Sequence, residues 1–125
     1  LGVCAARGAG VIMITHDLGV VAQTCDRVAV LYGGIVAEEA DVFSLFDQPR
    51  HPYTGALLRS MPRMGDAGAF EPMPGSAIQV FGELRACPFA PRCDRVGPGC
   101  RDGLPAPRAT ATGAHRCLYP LGGTT

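Results

Sequence analysis

The chain has 125 residues, the size of one ordinary domain, with 11 basic and 11 acidic residues and a formal net charge of zero. That balance lacks the basic excess of a nucleic-acid binder, and no apolar run approaches the roughly 18 residues of a membrane span. All 11 basic residues are Arg, which excludes chemistry needing a lysine amine, such as a Schiff base or the lysine of a phosphate-binding loop. Residues 1–7 lack the charged-then-apolar layout of a secretion signal, and the chain does not open with Met, so a piece of something larger is expected. Val11-Ile12-Met13-Ile14 is a continuous apolar run, which predicts a strand covered on both faces. The stretch from Asp17 to Cys25 places Leu18, Val21, Ala22 and Cys25 at i, i+3, i+4 and i+7, the pattern of a short amphipathic helix capped by Thr15 or Asp17. Two β-like runs, 27–32 and 35–39, flank Gly33-Gly34 and predict a hairpin. A helical stretch with Val42, Leu45 and Phe46 on one face ends before Pro49. A second helix is predicted from about Thr54 to Met61, closing at Pro62, with Thr54 as its cap.

Beyond residue 62 the composition changes. Eight of the 11 Pro and four of the six Cys fall there, against only 12 large aliphatic or Phe and Met residues. Such a segment cannot bury much core and calls for a covalent or metal staple. The four cysteines are Cys87, Cys93, Cys100 and Cys117, spaced C-x5-C-x6-C-x16-C, which is not the C-x2-C knuckle of zinc ribbons. Wide gaps suit loops around a bulkier cofactor, and four thiolates are the usual complement of an iron–sulfur cluster. Structural zinc, two disulfides and four unligated thiols remain competing readings. His115 could replace one ligand. Cys4 and Cys25 sit among aliphatics and read as small hydrophobes.

The segment Val11-Ile12-Met13-Ile14-Thr15-His16-Asp17-Leu18 resembles the switch-histidine segment of ABC-transporter ATPase subunits. Asp26 to Glu38 is similar to the hairpin that follows it in those proteins. Arg50-His51-Pro52-Tyr53-Thr54-Gly55 resembles the His-Pro-Tyr extension of the oligopeptide/dipeptide importer branch, and Cys87-Pro88-Phe89-Ala90-Pro91-Arg92-Cys93, with Cys100 and Cys117, resembles that extension's cysteine motif. The resemblance implies an α/β fold class, as the C-terminal piece of an ABC-type ATPase domain followed by a small irregular cysteine-rich extension. It implies two parts: 1–48, with the switch-histidine strand, helix and hairpin, and 49–125, the extension with the four-cysteine motif. The implied function is that of a partial ATP-binding subunit coupling ATP hydrolysis to peptide uptake. His16 would contact the ATP γ-phosphate as the catalytic and nucleotide-binding residue. Cys87, Cys93, Cys100 and Cys117 would hold a 4Fe–4S cluster.

The implied cofactors are ATP with Mg in the full-length subunit. The implied partners are a second ABC ATPase subunit, membrane permease subunits and, indirectly, a peptide-binding protein, with no nucleic acid. The implied place is the cytoplasmic face of the bacterial plasma membrane, as a peripheral protein. The phosphate-binding loop, glutamine loop, ABC signature and acidic Walker B strand are absent from these 125 residues, so the chain by itself is expected to be inactive. A free-standing iron–sulfur or zinc module with no ATP role is the alternative.

Other motifs carry simpler expectations. A His at a strand end is by itself a packing or capping residue, and only the flanking resemblance raises His16 above that. Asp17 reads as a helix cap. Glu38 and Glu39, as strand neighbours, point to opposite faces and are expected at a solvated strand end. His51-Pro52-Tyr53 reads as a structural turn into the next helix.

Overall fold

A two-residue link sets the architecture. Gly33 and Gly34 take φ of +59° and +86°, the left-handed pair that a tight primed turn requires and that glycine adopts without strain. The turn joins β1 (Arg27–Tyr32) to β2 (Ile35–Asp41), the predicted hairpin, with β2 running two residues past Glu39. The structure is a computed structural model and describes residues 6–61, 73, 75–76 and 82–122. The fate of Cys4 and the helix stop at Pro62 lie outside them.

Pairing across the hairpin is interrupted by a bulge between Val30 and Leu31. An undisturbed two-residue hairpin would set Val30 opposite Ala37; the bulge sets it opposite Glu38 instead. This slip by one residue turns Glu38 inward.

Helices close one side of the hairpin. α1 (Leu18–Thr24) starts at Asp17, whose carboxylate accepts the Val20 N–H at 3.0 Å, as the sequence predicts. α2 (Val42–Asp47) follows β2 directly, capped by Asp41, whose Oδ1 accepts the Ser44 N–H at 2.9 Å. The same hydrogen bond holds the Asp41 carboxyl below its usual pKa. α3 (Pro52–Arg59) begins earlier than expected, with Pro at its first position and His51, not Thr54, as its cap. His51 Nδ1 accepts the Tyr53 N–H at 3.1 Å. Thr54 instead lies inside the helix, 1% exposed, and its hydroxyl finds no hydrogen-bond partner among the described residues. Proline at the first helical position needs no N–H, so the helix begins at the cheapest place the backbone offers.

Two strands from the cysteine-bearing part complete the sheet. β3 (Arg108–Ala109) pairs antiparallel with β4 (Gly113–His115), and β4 lies against β2, in the order β1-β2-β4-β3. The fold is thus an α/β piece built on a small antiparallel sheet. One core cluster joins Val30, Ala40 and Leu45, with Val28, Phe46, Tyr53 and Leu57 against it. A second joins Tyr32, Ala37 and Phe89, with Tyr53, Met73, Cys87 and Cys93 against it.

One expectation is corrected. Val11–Ile14 forms no strand, and Ile12 and Ile14 are 95% and 98% exposed. A strand of a parallel sheet exists only where neighbours complete its ladder, and no described residue offers one here.

Candidate functional site

The residues singled out by sequence fall at two places. His16 is exposed, one residue before the Asp17 cap of α1. The cap and the turn through Thr15, whose Oγ1 accepts the Asp17 N–H at 3.0 Å, hold the backbone around it. Its imidazole is thereby presented at a helix start, facing solvent. Cys25 lies at the far end of the same helix, half-buried, with its backbone N–H on the Val21 carbonyl.

The four-cysteine segment lies elsewhere, under the end of the hairpin. A single 3-10 turn, Ala90–Arg92, carries the chain from Cys87 to Cys93 and lets Phe89 point inward at 2% exposure. The Phe89 ring packs edge-on to Tyr32 at 5.2 Å and against Tyr53 at 5.4 Å, and these two tyrosines meet at 4.5 Å. Arg92 ties the turn to the hairpin by donating to the Tyr32 hydroxyl at 3.4 Å and to the Met73 carbonyl at 3.3 Å. Cys87 N–H donates to the Cys100 carbonyl at 3.0 Å, which brings the second loop to the first.

All four cysteines are free thiols, Cys87 and Cys93 half-buried and Cys100 and Cys117 buried. Burial pushes the Cys117 thiol up to about 11, and the thiols of Cys93, Cys87 and Cys100 add to that rise. Cys87 and Cys93 are raised mainly by burial too, with further contributions from neighbouring thiols. The four cysteines lie on loops, two of which are tied by the Cys87 N–H on the Cys100 carbonyl. They do not close into a shell for one ion: among the described residues no three His, Cys, Asp or Glu side chains form a group that could hold a metal ion. A zinc site needs its sulfurs at about 2.3 Å from one centre, which this placement does not provide. His115 is buried on β4 opposite Glu38, and its Nδ1 has no hydrogen-bond partner among the described residues.

Sequence reasoning missed a buried polar group. Glu38 is 3% exposed rather than solvated, and its two oxygens accept the backbone N–H groups of Arg50, at 2.6 Å, and His51, at 2.8 Å. The carboxylate thus clasps the chain just before α3. Beside it, His51 is 3% exposed, and burial, together with the neighbouring His115, lowers its pKa to about 4, against a hydrogen bond to the Arg116 backbone. The signal for this clasp is the bulge, and nothing in a Val-Leu-Tyr-Gly-Gly-Ile-Val run announces one. A groove of about 540 Å³ between α2 and the β3–β4 turn is lined by Glu39, Phe43, Asp47, Thr110 and Thr112, among others. Neither His16 nor any of the four cysteines faces it.

Residues 37–100 match the family described as oligopeptide/dipeptide transporter, C-terminal region. The chain is 50% identical over 97 residues to the dipeptide transport ATP-binding protein DppD of Bacillus subtilis, covering 71% of this chain and 29% of that protein. It is 48% identical over 95 residues to the oligopeptide transport ATP-binding protein OppD of Mycobacterium tuberculosis, covering 74% of this chain and 16% of that one. The chain therefore spans less than a third of the length of either relative.

Proposed function

Since the chain belongs to the oligopeptide/dipeptide transporter C-terminal region family, we propose that it is the C-terminal part of an ATP-binding subunit that drives peptide uptake. The observation that carries this reading is the match over residues 37–100, which runs through the hairpin's second strand, the His51 turn and three of the four cysteines. Relatives named as dipeptide and oligopeptide transport ATP-binding proteins support it. On this reading residues 1–48 belong to the ATPase domain and 49–125 to the extension. The working subunit pairs with a second ATPase and acts on membrane permease subunits, with a peptide-binding protein as an indirect partner. It sits at the cytoplasmic face of the plasma membrane as a peripheral protein. No helix among the described residues is long and apolar enough to cross a membrane.

Within the complete subunit, ATP and Mg are held by segments outside these 125 residues, and His16 supplies the one contact from this chain. An imidazole presented at a helix start donates a hydrogen bond to charge that develops on the transferring phosphoryl group. The four cysteines are read as ligands of a 4Fe–4S cluster. Support comes from partly desolvated thiols on loops tied to one another, the Cys87 N–H donating to the Cys100 carbonyl at 3.0 Å. Such a cluster spaces its sulfur ligands further apart than one zinc does, and would supply a redox-active or stapling centre. A free-standing cluster or zinc module without an ATP role has no observation in its favour.

The test uses the full-length subunit with its partners. His16→Ala is expected to lower ATP hydrolysis at least about tenfold while ATP binding changes much less, because the lost contact belongs to the transition state. Equal loss of binding and turnover, or unchanged turnover, overturns the assignment.

A further inference from the structure

The groove beside α2 combines an exposed aromatic ring with carboxylates that the fold leaves largely uncompensated. α2 turns Val42 and Leu45 into the core. Phe43 stands off that face, 83% exposed, and lines the groove. Asp47 follows Phe43 by one helical turn and lines it too, so ring and carboxylate are neighbours on the helix surface. Glu39 of β2, Ala114 of β4 and the turn at Thr110 and Thr112 form the rest of the wall that matters here.

The charges in this groove call for a cation. Asp47 is the last residue of α2, where the helix dipole is already negative, and no basic residue stands in that last turn. Among the described residues Asp47 has no ion pair, and Glu39 has only the exposed one with Arg27 at 3.9 Å. Arg50 also lines the groove, but its guanidinium donates to the carbonyls of Leu121 and Gly122 at 3.4 and 3.3 Å. Arg108 pairs with His115 in the β3–β4 register, and so lies on the other face of the sheet from Ala114. The volume of about 540 Å³ suits one long side chain and its neighbours rather than a second folded surface.

We propose that the groove between α2 and the β3–β4 turn is a docking site for an arginine-bearing segment of a partner protein. A planar guanidinium can lie on the Phe43 ring and aim its N–H fork at the Asp47 carboxylate at the same time. A lysine ammonium is a compact point charge and cannot do both. An anionic lipid surface is repelled by Glu39 and Asp47. The inference rests neither on the cysteines nor on a role for His16.

The test titrates the isotope-labelled 125-residue chain with acetyl-Leu-Arg-Leu-amide, and with the same peptide carrying lysine or citrulline in place of arginine, following backbone amide shifts by NMR. Saturable shifts are expected at Phe43, Asp47 and Thr112. Affinity is expected to fall about threefold with lysine and about tenfold with neutral citrulline. Phe43→Ala and Asp47→Asn, both at exposed positions, are each expected to weaken the arginine peptide about fivefold with the rest of the spectrum intact. Glu83→Gln removes the same charge at a different surface and is expected to leave the affinity unchanged. Equal affinity for the arginine and citrulline peptides, or shifts that fail to saturate or centre elsewhere, overturns the proposal. So do concentration-dependent shifts at Phe43 and Asp47 without peptide, which would give the groove to a second copy of the chain. Shifts at those residues with phosphatidylglycerol vesicles would give it to a membrane and overturn the proposal equally.

Discussion

Glu38 and Glu39 are adjacent, equally charged and energetically unlike. Glu38 serves two backbone amides from inside the sheet, whereas Glu39 reaches only an exposed ion pair with Arg27 at 3.9 Å. Exposed pairs of that kind contribute little. Glu38→Ala strands the amides of Arg50 and His51 and is expected to destabilise the chain by about 3 kcal/mol, against about 0.5 kcal/mol or less for Glu39→Ala, both read by urea unfolding. His51 makes the acid limb of the stability profile. Its pKa is about 4 in the fold, against about 6.5 in the unfolded chain. Below the unfolded value the unfolded chain takes up a proton that the fold refuses. Its contribution is therefore complete above about pH 6.5 and is lost as the pH falls towards 4, by roughly 3 kcal/mol in all. The imidazole lies 6.0 Å from the Phe89 ring, centroid to centroid, with His115 and the Arg116 backbone beside it. His51→Asn, which keeps a capping side chain without the titration, is expected to flatten that limb in thermal melts between pH 6.5 and 4. An unchanged slope would place the acid sensitivity elsewhere.

At the scale of elements, β4 lies against β2 with no room for a side chain at Gly113. A Cβ on Gly113 would sit 1.9 Å from the Glu39 carbonyl oxygen and 2.7 Å from Ala40 Cα, both backbone atoms that cannot swing aside. Gly103, by contrast, has nothing within 4 Å of such an atom. Gly113→Ala is expected to separate β4 from β2 at a cost of about 1–3 kcal/mol, while Gly103→Ala is near neutral. Hydrogen exchange reads the difference, with faster exchange in the first variant at Asp41, whose N–H donates to the Thr112 carbonyl, and at Arg116, whose N–H donates to the Ala37 carbonyl. This pairing was not legible in the sequence. Arg108-Ala109 and Gly113-Ala114-His115 are too short and too mixed to show a period of two. The hairpin, by contrast, was legible, because a Gly-Gly link between β-like runs admits few other conformations.

At the scale of the molecule, a chain with no Lys lacks the side chain that a phosphate loop places on the β- and γ-phosphates. Titration calorimetry of the 125-residue chain with Mg-ATP is expected to give no binding at micromolar affinity, and a measurable heat of that strength would overturn this. The sequence by itself determined the local features: the Asp17 cap, the primed turn, the apolar face of α2, and the order of motifs that marks the family. Each depends on residues a few positions apart, whose chemistry is written in their spacing. Tertiary structure alone decided three others. It turned Glu38 inward through a bulge, exposed Ile12 and Ile14 where no described residue completes the ladder, and packed Cys87 and Cys93 against the Tyr32, Ala37 and Phe89 cluster. Those outcomes depend on which distant groups arrive to satisfy a backbone amide or cover an apolar side chain, and such arrivals are decided by the whole fold rather than by any local run.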